Sequence, residues 1–250
     1  MKRKTRTRLF LVGACALAVV FALGVAGLPP LGHYRGPYGD VVNAISVPER
    51  HVTDAVTAVN FDIRGFDTMG EEYILFTSVM AVLLLLRKQK NEPRHEHEDH
   101  APGRNGVETS DAVRVVSLLL VGATIVFGIY VVTHGQLTPG GGFQGGVVLA
   151  TAPLLLYLAG EFKQFKKAVP RELVHAGEAL GAGGYVLIGL GCLAAGGAFL
   201  QNVLPFGTKG SIFSGGTIAV IDLSVGLEVS GGIALLLMVY LEETLELKQE

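Results

Sequence analysis

The 250-residue sequence has no tryptophan and only two cysteines, Cys15 and Cys192. Both sit in apolar runs, which excludes a disulfide framework and a cysteine-built zinc site. Charge is scarce: Asp, Glu, Lys and Arg make up 17% of the chain, against about 25% in soluble proteins. The net charge of −2 leaves no basic excess, so nucleic acid is excluded as a partner. No helical His-Glu-x-x-His, no Ser-His-Asp order in a supporting context and no cofactor-binding cysteine set is present. No enzyme activity, resident metal or cofactor is expected.

What the chain has is apolar surface. Half of its residues are hydrophobic, and the mean hydropathy is +0.46. A chain this apolar cannot stay disordered in water. Six apolar segments stand out: Leu9–Leu28, a stretch apolar from Tyr73 to Leu86, Val115–Thr133, Gln144–Gly160, a span within Leu173–Leu200, and about Leu223 to Leu241. A helix of about 20 residues crosses the ~30 Å hydrocarbon core. The fold class is therefore an all-α integral membrane protein with about six transmembrane helices. The second and fourth segments are short for a full span, which suggests less tilt or a start within loops buried in protein.

With the N-terminus inside, the inner segments hold 16 of the 20 basic residues. The outer segments hold only Arg35, Arg50, Arg64 and Lys209. This 16-to-4 split matches six helices with both termini cytoplasmic. Val12-Gly13-Ala14-Cys15 has the look of a lipoprotein cleavage site. Only three apolar residues precede it and the apolar run continues past it, so a retained helix is the expectation.

Residues 91–110 read as a polar linker with Pro, Gly and no apolar run. They divide the chain into a two-helix module, 1–90, and a four-helix module, 111–250. Ser110 or Asp111 is placed to cap the third membrane helix. His95, His97 and His100 stand among acidic residues of the linker. With no element to pin ligands, they read as a solvated tract rather than a metal site. Before the second membrane helix, Val52, Val56, Val59 and Ile63 recur at helical spacing, which predicts a short amphipathic surface helix.

Thr133–Gly146 spells THGQLTPGGGFQGG. Gly140-x-Gly142-x-x-Gly145 is formally a dinucleotide fingerprint, but it follows a membrane helix rather than a strand. It reads as a sharp Pro-Gly turn with close backbone approach. Gly142-xxx-Gly146 and Gly177-xxx-Gly181 offer small faces for helix packing.

Ionisable residues in membrane segments default to functional hypotheses. Glu71 and Glu72 open the second helix. Glu178 lies seven residues beyond Arg171, roughly 10 Å along a helix. Glu228 lies six residues beyond Asp222. Each carries or relays a proton or helps bind sodium, or else is a helix-end residue that snorkels or pairs with a neighbouring subunit; both readings stay open. Tyr130 and His134 form an i, i+4 pair read as an interfacial anchor. His175 reads as an ordinary residue near a helix end.

The residues 111–250 resemble the MnhB family, the B-type component of the multisubunit Mrp-type Na⁺/H⁺ antiporter. The resemblance rests on Thr133-His134-Gly135, Pro139-Gly140-Gly141-Gly142-Phe143, Gly145-Gly146, Ser214-Gly215-Gly216-Thr217-Ile218 and Val225-Gly226-Leu227-Glu228-Val229, in the family's order. Asp62-x-Arg64-Gly65-Phe66-Asp67-Thr68-Met69-Gly70-Glu71 before an apolar helix resembles the end of the antiporter's large A-type component. It also resembles the small E-type component of membrane-bound hydrogenases. The resemblance implies a non-catalytic subunit of a cell-membrane Na⁺/H⁺ antiporter, working with components of the A, C, D, E, F and G types in the lipid bilayer. The alternative it implies is a subunit in the ion-pumping membrane arm of a hydrogenase or a related complex I-like oxidoreductase. It also implies an ion-path role for Glu71, a match of Glu228 to the family's acidic position in the last helix, and an assembly turn at Pro139, Gly140, Gly141, Gly142 and Phe143; the reading of charges within membrane segments adds Glu178 to the expected ion path.

Overall fold

The computed structural model describes residues 3–28, 36–87 and 109–246. Residues 91–108 of the linker, with its histidine tract, lie outside them. The chain forms two units, 1–41 and 42–250. The first unit holds α1, Arg3–Ala26. Its apolar run satisfies its backbone groups within the helix, as a lipid-crossing segment must. Every described side chain in α1 is exposed. A second helix, α2, Pro37–Arg50, begins in the first unit and ends in the second.

The rest of the second unit contains α3, Ala55–Ala58, a π-helical turn, Val59–Ile63, and five long helices. These are α4, Gly65–Leu85; α5, Asp111–Thr133; α6, Gly142–Ala168; α7, Arg171–Ala194; and α8, Thr217–Glu246. With α1, six helices among the described residues are long and apolar enough to cross a membrane. The chain is a multi-pass membrane protein.

The expected amphipathic helix through Val52, Val56, Val59 and Ile63 does not form as one element. His51 takes a positive φ of 55° and breaks the chain after α2. Asp54 then caps α3, its Oδ1 accepting the Val56 N–H at 3.0 Å. The Arg64 N–H reaches back five residues to the Val59 carbonyl at 2.7 Å, which makes the π turn. Val52 is fully buried and Val56 is 64% exposed, so the four residues share no stripe.

Ser110 caps α5 through the Val113 N–H at 3.4 Å. The fourth apolar segment is longer than expected. It begins at Gly142 and runs 27 residues, with Val169-Pro170 ending it. The loop 195–216 is tied to the start of α8. Asn202 accepts the Thr217 N–H at 2.9 Å and donates to the Gly215 carbonyl at 2.8 Å.

Helix α8 is the hub, with 56% of its membrane window buried, against 17% for α4 and α5. Only Val220, Leu223, Leu227 and Tyr240 among its described residues are exposed. Its partners approach through glycine. A Cβ on Gly142 would stand 2.4 Å from the Asp222 carbonyl, and one on Gly146 would stand 2.7 Å from Val229 Cβ, so α6 lies parallel to α8 at backbone contact. Gly181 of α7 faces Glu228 and Gly231 of α8 faces Glu178, which makes that pair antiparallel. Gly177 meets Leu227 at only ordinary contact distance. Helix α4 packs against both α7 and α8. Ile218, Ile221, Val225, Val229 and Tyr185 are in the core this produces.

Candidate functional site: buried carboxyls between three helices

Among the described residues of the second unit, four carboxyls are buried: Glu72 of α4, Glu178 of α7, and Asp222 and Glu228 of α8, each no more than 1% exposed. They arise from three helices in a region where hydrocarbon and protein exclude water. A carboxylate in such a place is costly without a donor or a counter-ion. Asp222 has one donor. Its Oδ1 accepts the Gly142 N–H at 2.6 Å, at the N-terminus of α6, where backbone N–H groups favour negative charge. Its Oδ2 lies over Gly135, where a Cβ would meet it, so only glycine fits there.

The three glutamates have no such donor. Among the described residues, no N–H or hydroxyl reaches any of their carboxyl oxygens. Glu72 and Glu228 lie within electrostatic range of each other. Glu178 lies within electrostatic range of Glu228, and Asp222 within range of Glu72. The Glu178 Oε1 is 3.6 Å from the position a Cβ on Gly232 would take, and Val79 of α4 closes on the same glycine. The Glu178 carboxyl thus lies beside α8 at Gly232, close to where α4 packs on it.

Helix rise sets these groups apart along the bundle axis. Asp222, Glu72 and Glu228 lie about 8, 10 and 16 Å from the starts of their helices. Glu178 lies about 10 Å from the start of α7, at the opposite end of the bundle. The carboxyls therefore step through the bundle instead of gathering at one depth.

A cavity of about 450 Å³ opens at the end where α4, α6 and α8 begin. Thr57, Asn60, Phe61, Thr68 and Glu71 line one side, and Gly140, Gly141, Gly142, Phe143 and Asp222 the other. Its described lining has carboxylates and neutral oxygens but no basic side chain. Hydrogen bonds hold its rim. Thr57 donates to the Gly135 carbonyl at 2.8 Å, and Thr53 to the Leu137 carbonyl at 2.5 Å. The Gln136 carbonyl accepts the Thr53 N–H at 3.1 Å. Tyr185 donates to the Gly65 carbonyl at 2.8 Å and anchors the start of α4 to α7.

The structure brings Glu71 together with Gly140, Gly141, Gly142 and Phe143 at this cavity. Pro139 is exposed just before them. It sets Glu178 and Glu228 near one another but leaves Glu71 apart from both. Glu71 itself is exposed, while its neighbour Glu72 is the buried member of the pair. Asp222 is the site group that the sequence did not single out, and Glu72 was weighed beside Glu71 but not placed in the expected ion path. Thr68, Glu72 and Val79, spaced by four and seven residues, share the buried face of α4 and were the available signal. Tyr130 and His134 stack at 4.1 Å between ring centroids, at the end of α5.

Residues 112–235 match the MnhB family, described as a domain related to the MnhB subunit of Na⁺/H⁺ antiporter. The B-type component of the Na⁺/H⁺ antiporter of Bacillus subtilis is 31% identical over 135 residues, covering 51% of this chain and 90% of that one. Among solved structures, a chain of the membrane-bound sulfane sulfur reductase, an archaeal respiratory membrane complex, superposes with a TM-score of 0.69. It is 31% identical, and the match covers 95% of this chain and 98% of that one. A chain of the Mrp complex from Dietzia sp. shares the fold with a TM-score of 0.68 and 24% identity. That match covers 96% of this chain and 26% of the longer one. The chain belongs to the MnhB family.

Proposed function

We propose that this MnhB-family chain is an integral subunit of a multisubunit monovalent cation/proton antiporter, where it contributes packing surfaces and part of the ion path. The observation that carries the reading is the set Glu72, Glu178 and Glu228: three carboxyls from three membrane helices, buried, without donors, and stepped along the bundle. Such groups serve ion movement better than they serve stability, since unpaired buried charge destabilises a fold. Glu71 stands where ions enter the cavity, and Asp222 borders the same space. Gly140, Gly141, Gly142 and Phe143 hold the α5–α6 turn against α8, with Pro139 setting the turn. The chain moves protons and sodium without catalysing a chemical reaction. Its partners are antiporter components of the A, C, D, E, F and G types.

The proposal includes the two-plus-four division. Residues 1–90 correspond to the end of an A-type component, 91–110 to a linker, and 111–250 to the B-type module. The likeness of nearly the whole chain to about a quarter of one longer Mrp chain supports this. It also includes an orientation with both termini cytoplasmic, supported by the 16-to-4 charge split. A reporter fused after Lys90 is expected to read cytoplasmic and one after Gln201 external; the reverse pattern would overturn the orientation.

A second reading has one specific observation behind it: the likeness runs along 98% of a chain from a respiratory membrane complex. The same ion path would then serve the membrane arm of a redox enzyme. Purification of the tagged chain in mild detergent separates the two. Membrane subunits alone, together with Na⁺/H⁺ exchange in everted vesicles, are the result expected. Co-purifying hydrophilic iron–sulfur or nickel subunits would favour the second reading. A chain that purifies alone, from vesicles without exchange, would sink both.

A further inference from the structure

We infer that His175 is the proton relay between the aqueous end of α7 and the buried carboxyls, a role that rests on the ion path proposed above. Glu178 is sealed, with its side chain 1% exposed, whereas the His175 side chain is 37% exposed. The two are i, i+3 on α7, so the helix itself places one above the other. His175 Nδ1 stands 3.8 Å from Glu178 Oε2. That is beyond hydrogen-bonding range, and closing it takes about 1 Å of side-chain movement. The pair is open by a distance that a rotamer adjustment spans.

Three of the other charged groups described at this end are paired among themselves. Glu242 of α8 pairs with Arg171 of α7 at 3.6 Å and with Lys166 of α6 at 3.5 Å. Glu172 is exposed in the first turn of α7. Arg171 and Glu172 act on His175 with opposite sign. Of the titratable groups around it, Glu178 is the buried one without a donor.

Imidazole gains and loses protons near neutral pH, and both of its nitrogens take part. The imidazolium of His175 gives its Nδ1 proton to the Glu178 carboxylate. The N–H bond breaks as the O–H bond forms, leaving neutral imidazole and a carboxylic acid. Ring rotation then presents Nδ1 to water for the next proton. From Glu178 the proton faces Glu228 and, beyond it, Glu72.

The test is an infrared pH-jump on the purified full-length chain in detergent. The protonated-carboxyl band of Glu178 is identified by its loss in Glu178→Gln. In His175→Gln the band is expected to rise at least about tenfold more slowly than in the wild type, in keeping with the contribution of one positioned proton-transfer group. In His175→Ala, imidazole in the buffer is expected to restore the rate, which a merely structural histidine would not allow. Elution volume and melting temperature check that each variant folds. A wild-type rate in His175→Gln overturns the relay, and so does a slow rate that imidazole leaves unchanged. Absence of Na⁺/H⁺ exchange by the wild-type complex would overturn the antiporter reading alone, because the infrared signal needs no transport.

Discussion

Glu228→Gln is expected to lower Na⁺/H⁺ exchange by about 100-fold, and Glu72→Gln by a similar factor, while the complex still assembles. The asymmetry between activity and assembly follows from the geometry. Glu72 and Glu228 face each other without any donor from the rest of the protein. Glutamine has the shape of glutamate and brings an amide N–H that the facing carboxyl can accept. The substitution therefore supplies the missing hydrogen bond and removes the exchangeable proton. If the two carboxyls act as a unit, the double variant is expected to be little worse than either single one. Glu71→Gln, at the exposed position beside the cavity, is expected to have a smaller effect. Exchange in everted vesicles, scaled to the amount of co-purified complex, measures all four. Single variants within about twofold of wild type would mean a pair that only fills space, and the chain would be a scaffold.

The spans were legible because length and hydropathy alone define them. All six apolar segments correspond to helices, and α5 ends at the expected boundary, Thr133, although it begins four residues before Val115. The site was less legible, for physical reasons that differ by residue. In α4 apolar side chains cover most of the circumference, so the sequence does not say whether Glu71 or Glu72 turns inward. Thr68 and Val79 settle it only once packing against α7 and α8 is known. Asp222 sits five residues into α8 and passes for a helix-end charge. Its role depends on Gly142 and Gly135, some 80 residues away in sequence. His175 reads as ordinary until Glu178, three residues on, is seen to be sealed from water. The break at His51 escaped because a positive φ at a residue other than glycine leaves no pattern in hydropathy.

Gly181→Ala is expected to destabilise the bundle by about 1–3 kcal/mol, the range for overpacking a close contact, and Gly181→Val by more. A Cβ at Gly181 would stand 2.3 Å from the Glu228 backbone nitrogen and 2.6 Å from its Cα. These are backbone atoms in the middle of α8, so no side-chain rotation relieves the clash; α7 and α8 must move apart. Gly183, two residues along the same helix, is the control, since a Cβ there meets nothing within 4 Å. Gly183→Ala is expected to leave the melting temperature unchanged or slightly raised, because alanine restrains the unfolded chain. The contrast also reaches function. The residue that Gly181 touches is Glu228, whose carboxyl must stay opposite Glu72 and within range of Glu178. Any Gly181→Ala protein that still assembles is therefore expected to exchange more slowly than Gly183→Ala protein, with melting curves in detergent and vesicle exchange read side by side. Equal stability and equal exchange in the two variants would mean that α7 does not hold Glu228 in place.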